Sequence, residues 1–183
     1  MKQLFHEQIV CAGFGGQGIM LMGKLLAHVG LSEGYNVTWL PSYGAEVRGG
    51  TAHSMVHITR ERIASPTVSK PTTCFAMNKP SLMKFIDRVE KGGLLIVNAS
   101  IIDKIPKRRD IEIAKLPLNR IASELGDVKA ANMVAIGAFI RIKKMFSVKE
   151  AIKELGKVLT SKGDMFSINK KAIESGYRLA DEK

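Results

Sequence analysis

The stretch Cys11-Ala12-Gly13-Phe14-Gly15-Gly16-Gln17-Gly18-Ile19 restricts this chain more than any other. It follows an apolar run and opens a segment whose apolar residues recur at helical spacing, so it reads as a strand-to-helix turn. Gly13, Gly15 and Gly18 have the G-x-G-x-x-G spacing. In that pattern the glycines permit a tight turn and let backbone N–H groups approach an anion at the helix start. The bare spacing also occurs in glycine turns that bind nothing. Four glycines within six residues, with Gln17 in the gap, make a more specific object.

Around this turn the sequence predicts a strand over Gln8–Ala12 and a helix over Gly16–Glu33, with Ile19, Met22, Leu25, Leu26 and Val29 on its apolar face and Gly34 closing it. Asn36–Leu40 reads as a second strand ended by Pro41, which completes a β–α–β unit with parallel pairing as its natural geometry. A nicotinamide site usually places Asp or Glu about 20 residues after the glycines to hold the ribose hydroxyls. Thr38-Trp39-Leu40-Pro41 offers no carboxylate there, which counts against NAD. The polar loop Ser42-Tyr43-Gly44-Ala45-Glu46-Val47-Arg48-Gly49-Gly50-Thr51 follows. Thr51–Thr59 then alternates as a strand, with Ala52, Ser54, Val56 and Ile58 on one side. His53 and His57 lie on the other side, about 13 Å apart along a strand axis, too far to share one metal ion.

Beyond a polar connection over Arg60–Lys70, strands are expected at Thr72–Met77, Leu94–Asn98 and Ile111–Ala114. Helices are expected at Ser81–Val89, Asn119–Leu125, Ala130–Met145 and Val148–Leu159, the last opened by a Ser147/Glu150 capping box, and at Ile168–Leu179 with Ser167 as its cap. With 183 residues the chain is expected to form a single α/β domain over 1–183.

Lys and Arg number 28 against 17 Asp and Glu, a net charge of +11, so the long-range field favours an anionic partner. The basic residues are dispersed and aromatic content is only 6%, which argues against a nucleic-acid stacking platform. Cys11 and Cys74 sit in apolar strand-like runs and form no C-x-x-C pair, so they read as buried thiols, and the chain alone lacks four thiolates for an iron–sulfur cluster. No apolar run has the length of a membrane span and no signal peptide is evident, so a cytoplasmic, membrane-free setting is expected.

The glycine turn Gly13–Ile19 and the loop Pro41–Thr51, at matching spacing, resemble the gamma subunit of 2-oxoacid:ferredoxin oxidoreductases. The likeness extends over nearly the whole chain, including the Thr51–Thr59 strand, the Ser65-Pro66 turn and the late Asn132–Ala138 helix. The Ser42–Thr51 form of the motif looks more like the branched-chain and 2-oxoglutarate members than the pyruvate ones. The resemblance implies a Rossmann-like domain with a mainly parallel sheet flanked by helices, in an enzyme that oxidatively decarboxylates a 2-oxoacid with coenzyme A and ferredoxin. It further implies alpha, beta and delta-type partner subunits that hold thiamine diphosphate and the iron–sulfur clusters, with the gamma domain associated with coenzyme A and inactive alone.

In that reading Gly13, Gly15, Gly16, Gln17 and Gly18 line an anion nest, and Ser42, Tyr43, Glu46, Arg48, Gly49, Gly50 and Thr51 serve the shared site. The loop side chains are equally suited to subunit packing, Arg48 by pairing with Glu46 or a neighbouring carboxylate. Asn132 is expected to satisfy nearby backbone. A stand-alone dinucleotide-binding protein or reductase is the competing reading of the glycine turn, and a basic nucleic-acid binder a third.

Overall fold

In the computed structural model, which describes residues 6–42, 51–159 and 163–180, the apolar run before the glycine turn becomes a nine-residue strand, His6–Phe14 (β1). Strands follow at Asn36–Ser42 (β2), Thr51–Thr59 (β3), Thr73–Ala76 (β4), Leu94–Asn98 (β5) and Glu112–Leu116 (β6). The helices are Ile19–Ser32 (α1), Lys79–Phe85 (α2), Leu118–Glu124 (α3), Ala131–Lys143 (α4), Val148–Val158 (α5) and Asp164–Leu179 (α6).

The strands form one sheet in the order β2-β3-β1-β4-β5-β6. β1, β4, β5 and β6 pair parallel. β3 runs antiparallel to both of its neighbours, β1 and β2. Five of the six strands therefore share one direction, which agrees with the expected mainly parallel α/β sheet. The expected pairing of the first two strands is corrected: β3 is inserted between them, so the β1–α1–β2 crossover skips one strand position. Pro41 does not end β2 either, for it pairs opposite Ser54 within a strand that runs to Ser42. β2 lies on the sheet edge, where a residue without an N–H leaves no ladder bond unmade when it faces outward.

Alternation along the strands divides the core into two layers. Ile9, Cys11, Val56, Ile58, Phe75 and Ile96 face α1, α4, α5 and α6. Val10, Ala12, Cys74, Ala76, Leu95 and Val97 face α2, with Phe85, and the chain beyond it. Ala131–Ile140 of α4 is buried throughout, which explains its polar-poor first half. Glu7 is held at the amino ends of β1 and β4 by Lys143 and by the hydroxyls of Thr72 and Thr73.

Helices α2 and α6 begin earlier than expected, and the expected capping box of α5 forms only in part. α2 starts at Lys79 with the Asn78 side chain accepting from the Ser81 N–H, and tightens to a 3-10 turn at Ile86–Arg88. Ser147 caps α5 as expected, accepting from the Glu150 N–H, while the Glu150 carboxylate pairs with Lys153. α6 begins after Gly163, so Ser167 lies inside the helix instead of capping it.

Candidate functional site

The connection after β1 leads through α1 toward β2 and β3, and the connection after β4 leads through α2 to β5 on the other side. The chain thus reverses its winding between β1 and β4, and the crevice outside the carboxyl ends of such strands is where open α/β sheets bind ligands. The glycine turn lies there.

Its geometry is held by Gln17. The Gln17 Oε1 accepts from the Phe14 N–H at 2.7 Å and from the Asn78 amide at 3.1 Å, while its Nε2 donates to the Met77 carbonyl at 3.2 Å. One side chain thereby closes the turn and ties β1 to the segment after β4. Gly16 and Gly18 have φ of 91° and 70°, a left-handed conformation that other residues adopt at a cost. A Cβ on Gly18 would also collide with Asn132, whose amide donates to the Gly18 carbonyl at 3.2 Å. Asn132 satisfies backbone, as expected, but across the whole domain. It locks the start of α1 onto the start of α4.

Gly15 and Gly16 are exposed and Gly18 half-buried. Among the described residues no acceptor takes their N–H groups. They directly precede the positive, N-terminal end of the 14-residue α1. Beside them is a pocket of about 150 Å³ lined by Gly16, Gln17, Met77, Asn119, Val128, Lys129 and Ala131, with no carboxylate. Asn119 is positioned by Asn98, a buried residue at the end of β5 whose amide donates to it at 2.8 Å. Free N–H donors with one ammonium suit a phosphate-sized anion.

The inserted strand β3 brings the second motif to the first. Thr51 pairs opposite Phe14 and Ala52 opposite Gly13, while Ser42 lies one strand further out, opposite His53. The position beside the glycine turn where a dinucleotide fold places its ribose-binding carboxylate is filled by the start of β3. Tyr43, Glu46, Arg48, Gly49 and Gly50 lie outside the described residues. Sequence reasoning missed Asn78, Asn119 and Lys129. The signal for the first was present, a polar Asn78-Lys79-Pro80 directly after the apolar run Cys74–Met77.

The remaining candidates lie elsewhere. Cys11 and Cys74 are free, buried and on opposite faces of the sheet. Burial pushes the Cys74 thiol up to about 12 and raises Cys11 well above its ordinary value, with Cys74 adding to the Cys11 effect. His57 packs against His6 with ring centroids 4.6 Å apart, and His53 packs on Phe85. Among the described residues no group of three His, Cys, Asp or Glu is placed to hold a metal, and no helix is long and apolar enough to cross a membrane.

The model of the pyruvate ferredoxin/flavodoxin oxidoreductase family matches residues 8–179. The chain belongs to this family. It is 34% identical over 174 residues to the ketoisovalerate oxidoreductase subunit VorA of Methanothermobacter marburgensis, covering 94% of this chain and 36% of that protein. This chain therefore spans about a third of the length of that relative. It is also 34% identical over 183 residues to the 2-oxoglutarate synthase subunit KorC of Methanocaldococcus jannaschii, with 97% of this chain and 95% of that one covered. The fold of a keto/oxoacid ferredoxin oxidoreductase gamma subunit from Geobacter sulfurreducens matches with a TM-score of 0.83 at 24% identity, over 97% of this chain and 99% of that one. The 2-oxoglutarate:ferredoxin oxidoreductase of Magnetococcus marinus, solved with 2-oxoglutarate, coenzyme A and succinyl-CoA bound, contains the same fold in 32% of its chain, covering all of this chain with a TM-score of 0.88 at 23% identity.

Proposed function

We propose that this chain is the gamma-type subunit of a multi-subunit 2-oxoacid:ferredoxin oxidoreductase and supplies the coenzyme A-facing wall of an active site completed by other subunits. The observation that carries the reading is the end-to-end match to a KorC subunit of nearly the same length, within a family whose model covers residues 8–179. Coenzyme A, when bound, supplies the thiol that takes up the acyl group as a thioester. The N–H groups of Gly15, Gly16 and Gly18 and the Lys129 ammonium bind one of its phosphates. Gln17 and Asn132 hold those N–H groups in place. A pocket of about 150 Å³ accommodates a phosphate group and its immediate attachment. The remainder of the coenzyme then rests on the second loop or on a partner.

Two buried thiols on opposite sheet faces do not fit a cluster, which supports iron–sulfur centres in alpha, beta and delta-type partners through which ferredoxin is reduced, and thiamine diphosphate is assigned to those partners by the family resemblance alone. The relatives named for ketoisovalerate and 2-oxoglutarate favour a branched-chain 2-oxoacid or 2-oxoglutarate over pyruvate. An omission experiment tests the reading. Ferredoxin reduction by the reconstituted complex, dependent on both 2-oxoacid and coenzyme A, is expected to fall to background without this chain. Undiminished turnover in its absence refutes the proposal.

A further inference from the structure

On the α2 face of the sheet, opposite α1, three basic groups converge on one buried ring. The His53 imidazole packs against Phe85 with centroids 5.5 Å apart and planes at 56°. The Lys84 ammonium lies 5.3 Å from the same ring centroid and the Arg88 guanidinium carbon 5.5 Å from it. Lys84 and Arg88 are four residues apart on one helical run, where like charges repel. Among the described residues neither is joined to a carboxylate. Both are exposed, as a site for a soluble ligand requires.

His53 is the third member. Its Nδ1 is buried without a hydrogen-bond partner, which leaves Nε2 as the nitrogen that meets solvent. It pairs across the sheet with Ala12, directly before the glycine turn, and with Ser42, at the start of the second motif. His53 therefore lies toward the carboxyl end of β1, on the face the glycine pocket does not use, while Arg88 closes the helical run beside Lys70, Glu90 and Lys91.

We propose that His53, Lys84 and Arg88 form a binding site for a phosphate-class oxyanion at the rim of Phe85. A planar guanidinium and a mobile ammonium from the α2 helical run and an imidazole N–H from β3 approach one another, and a tetrahedral oxyanion has enough oxygens to accept from all of them. The anion also relieves the repulsion between Lys84 and Arg88. In its absence the His53 pKa is lowered by burial first, then by Lys84 and Arg88, the two charged groups that act on it. A bound oxyanion reverses the charge contribution, so its arrival is read directly at His53.

The test is proton NMR of the His53 ring in the full-length chain, titrated with inorganic phosphate against sodium chloride at equal ionic strength. The His53 pKa is expected to rise saturably by about half a pH unit or more with phosphate and not with chloride. Lys84→Gln combined with Arg88→Gln, both on the surface, is expected to weaken the response at least fivefold, with the His28 signal reporting an intact fold. Lys129→Gln is expected to leave it unchanged, which separates this site from the glycine pocket and from the proposed coenzyme A role. Adenosine 3′,5′-bisphosphate saturating well below inorganic phosphate assigns the site to a nucleotide-bearing ligand. Equal saturation assigns it to free phosphate. An equal shift with chloride, no shift with phosphate, or a full response in the double variant overturns the proposal, and a carboxylate from a partner subunit then becomes the ligand to seek.

Discussion

Gln17 combines a visible position with a role that local sequence does not reveal. Its place among four glycines marks it as special, but its partners Met77 and Asn78 are about sixty residues away, so a lining role for its amide was the natural expectation. The amide holds the turn, and the same residue also lines the pocket beside the backbone N–H groups. Gln17→Ala leaves the Phe14 N–H without its acceptor and breaks the tie to Asn78. It is expected to cost about 2–3 kcal/mol, measured as a shift in the urea midpoint. An unchanged midpoint would show that the tie carries no weight.

The two cysteines were legible as buried thiols because both lie in unbroken apolar runs. A thiol held at about 12 has about one part in ten thousand as thiolate at pH 8, so native Cys74 is expected to resist iodoacetamide at that pH and to react only after denaturation. The sign of the linkage follows. A folded-state pKa raised above the ordinary 9.0 favours the native state while the thiol stays protonated. Stability from this source is present below pH 9 and falls as pH climbs toward 12, a decline that Cys74→Ala should flatten.

At the scale of elements, α4 and α6 cross so closely that a Cβ on Gly137 would meet the Ile173 carbonyl and one on Gly176 would meet the Val134 carbonyl. Neither obstacle is a flexible side chain. Gly137→Ala and Gly176→Ala are each expected to destabilise by about 1–3 kcal/mol, read by thermal or urea unfolding. Gly156 in α5 is the control. A methyl group there meets only the Phe166 ring at ordinary contact distance, so Gly156→Ala is expected to stabilise by about 0.5–1 kcal/mol through helix propensity. The same sign at all three glycines would contradict the crossing geometry.

These elements also mark how far the sequence could be read. β1, the glycine turn, β3 and β5 follow from unbroken apolar runs, strict alternation and glycine chemistry, all of them local signals. The insertion of β3 between β1 and β2 does not follow, because alternation fixes which face of a strand is buried and not which neighbour it pairs with. Pro41 misled for the same reason. A proline inside a run argues for a strand end unless the strand is known to be at an edge. The start of α6 was placed late because Ser167 offered a good local cap, whereas Gly163, with φ of 113°, turns the chain four residues earlier.

For the whole molecule, the consequence of the β3 insertion is that two motifs separated by about thirty residues meet at one end of the sheet, at Phe14 and Thr51. The pocket beside the glycine turn receives its cation from a third region, the 3-10 turn Val128–Ala130 that precedes α4. Asn132 fixes that region against Gly18, so the Lys129 backbone is positioned by the same bond that positions the N–H donors. This arrangement predicts a division between coenzyme and oxoacid kinetics. Lys129→Gln in the reconstituted complex removes one charge-assisted bond to a phosphate without disturbing the glycine turn. The expected result is a rise of about tenfold in KM for coenzyme A, corresponding to loss of about 1.4 kcal/mol of binding. KM for the 2-oxoacid, read by partners, should stay constant. Desphospho-coenzyme A locates the phosphate concerned. If Lys129 meets the 3′-phosphate, its removal raises KM in the unaltered complex and adds nothing in Lys129→Gln. If Lys129 meets the pyrophosphate, the two losses add. An unchanged KM for coenzyme A in Lys129→Gln would remove Lys129 from the site and with it the assignment of this pocket to a coenzyme phosphate.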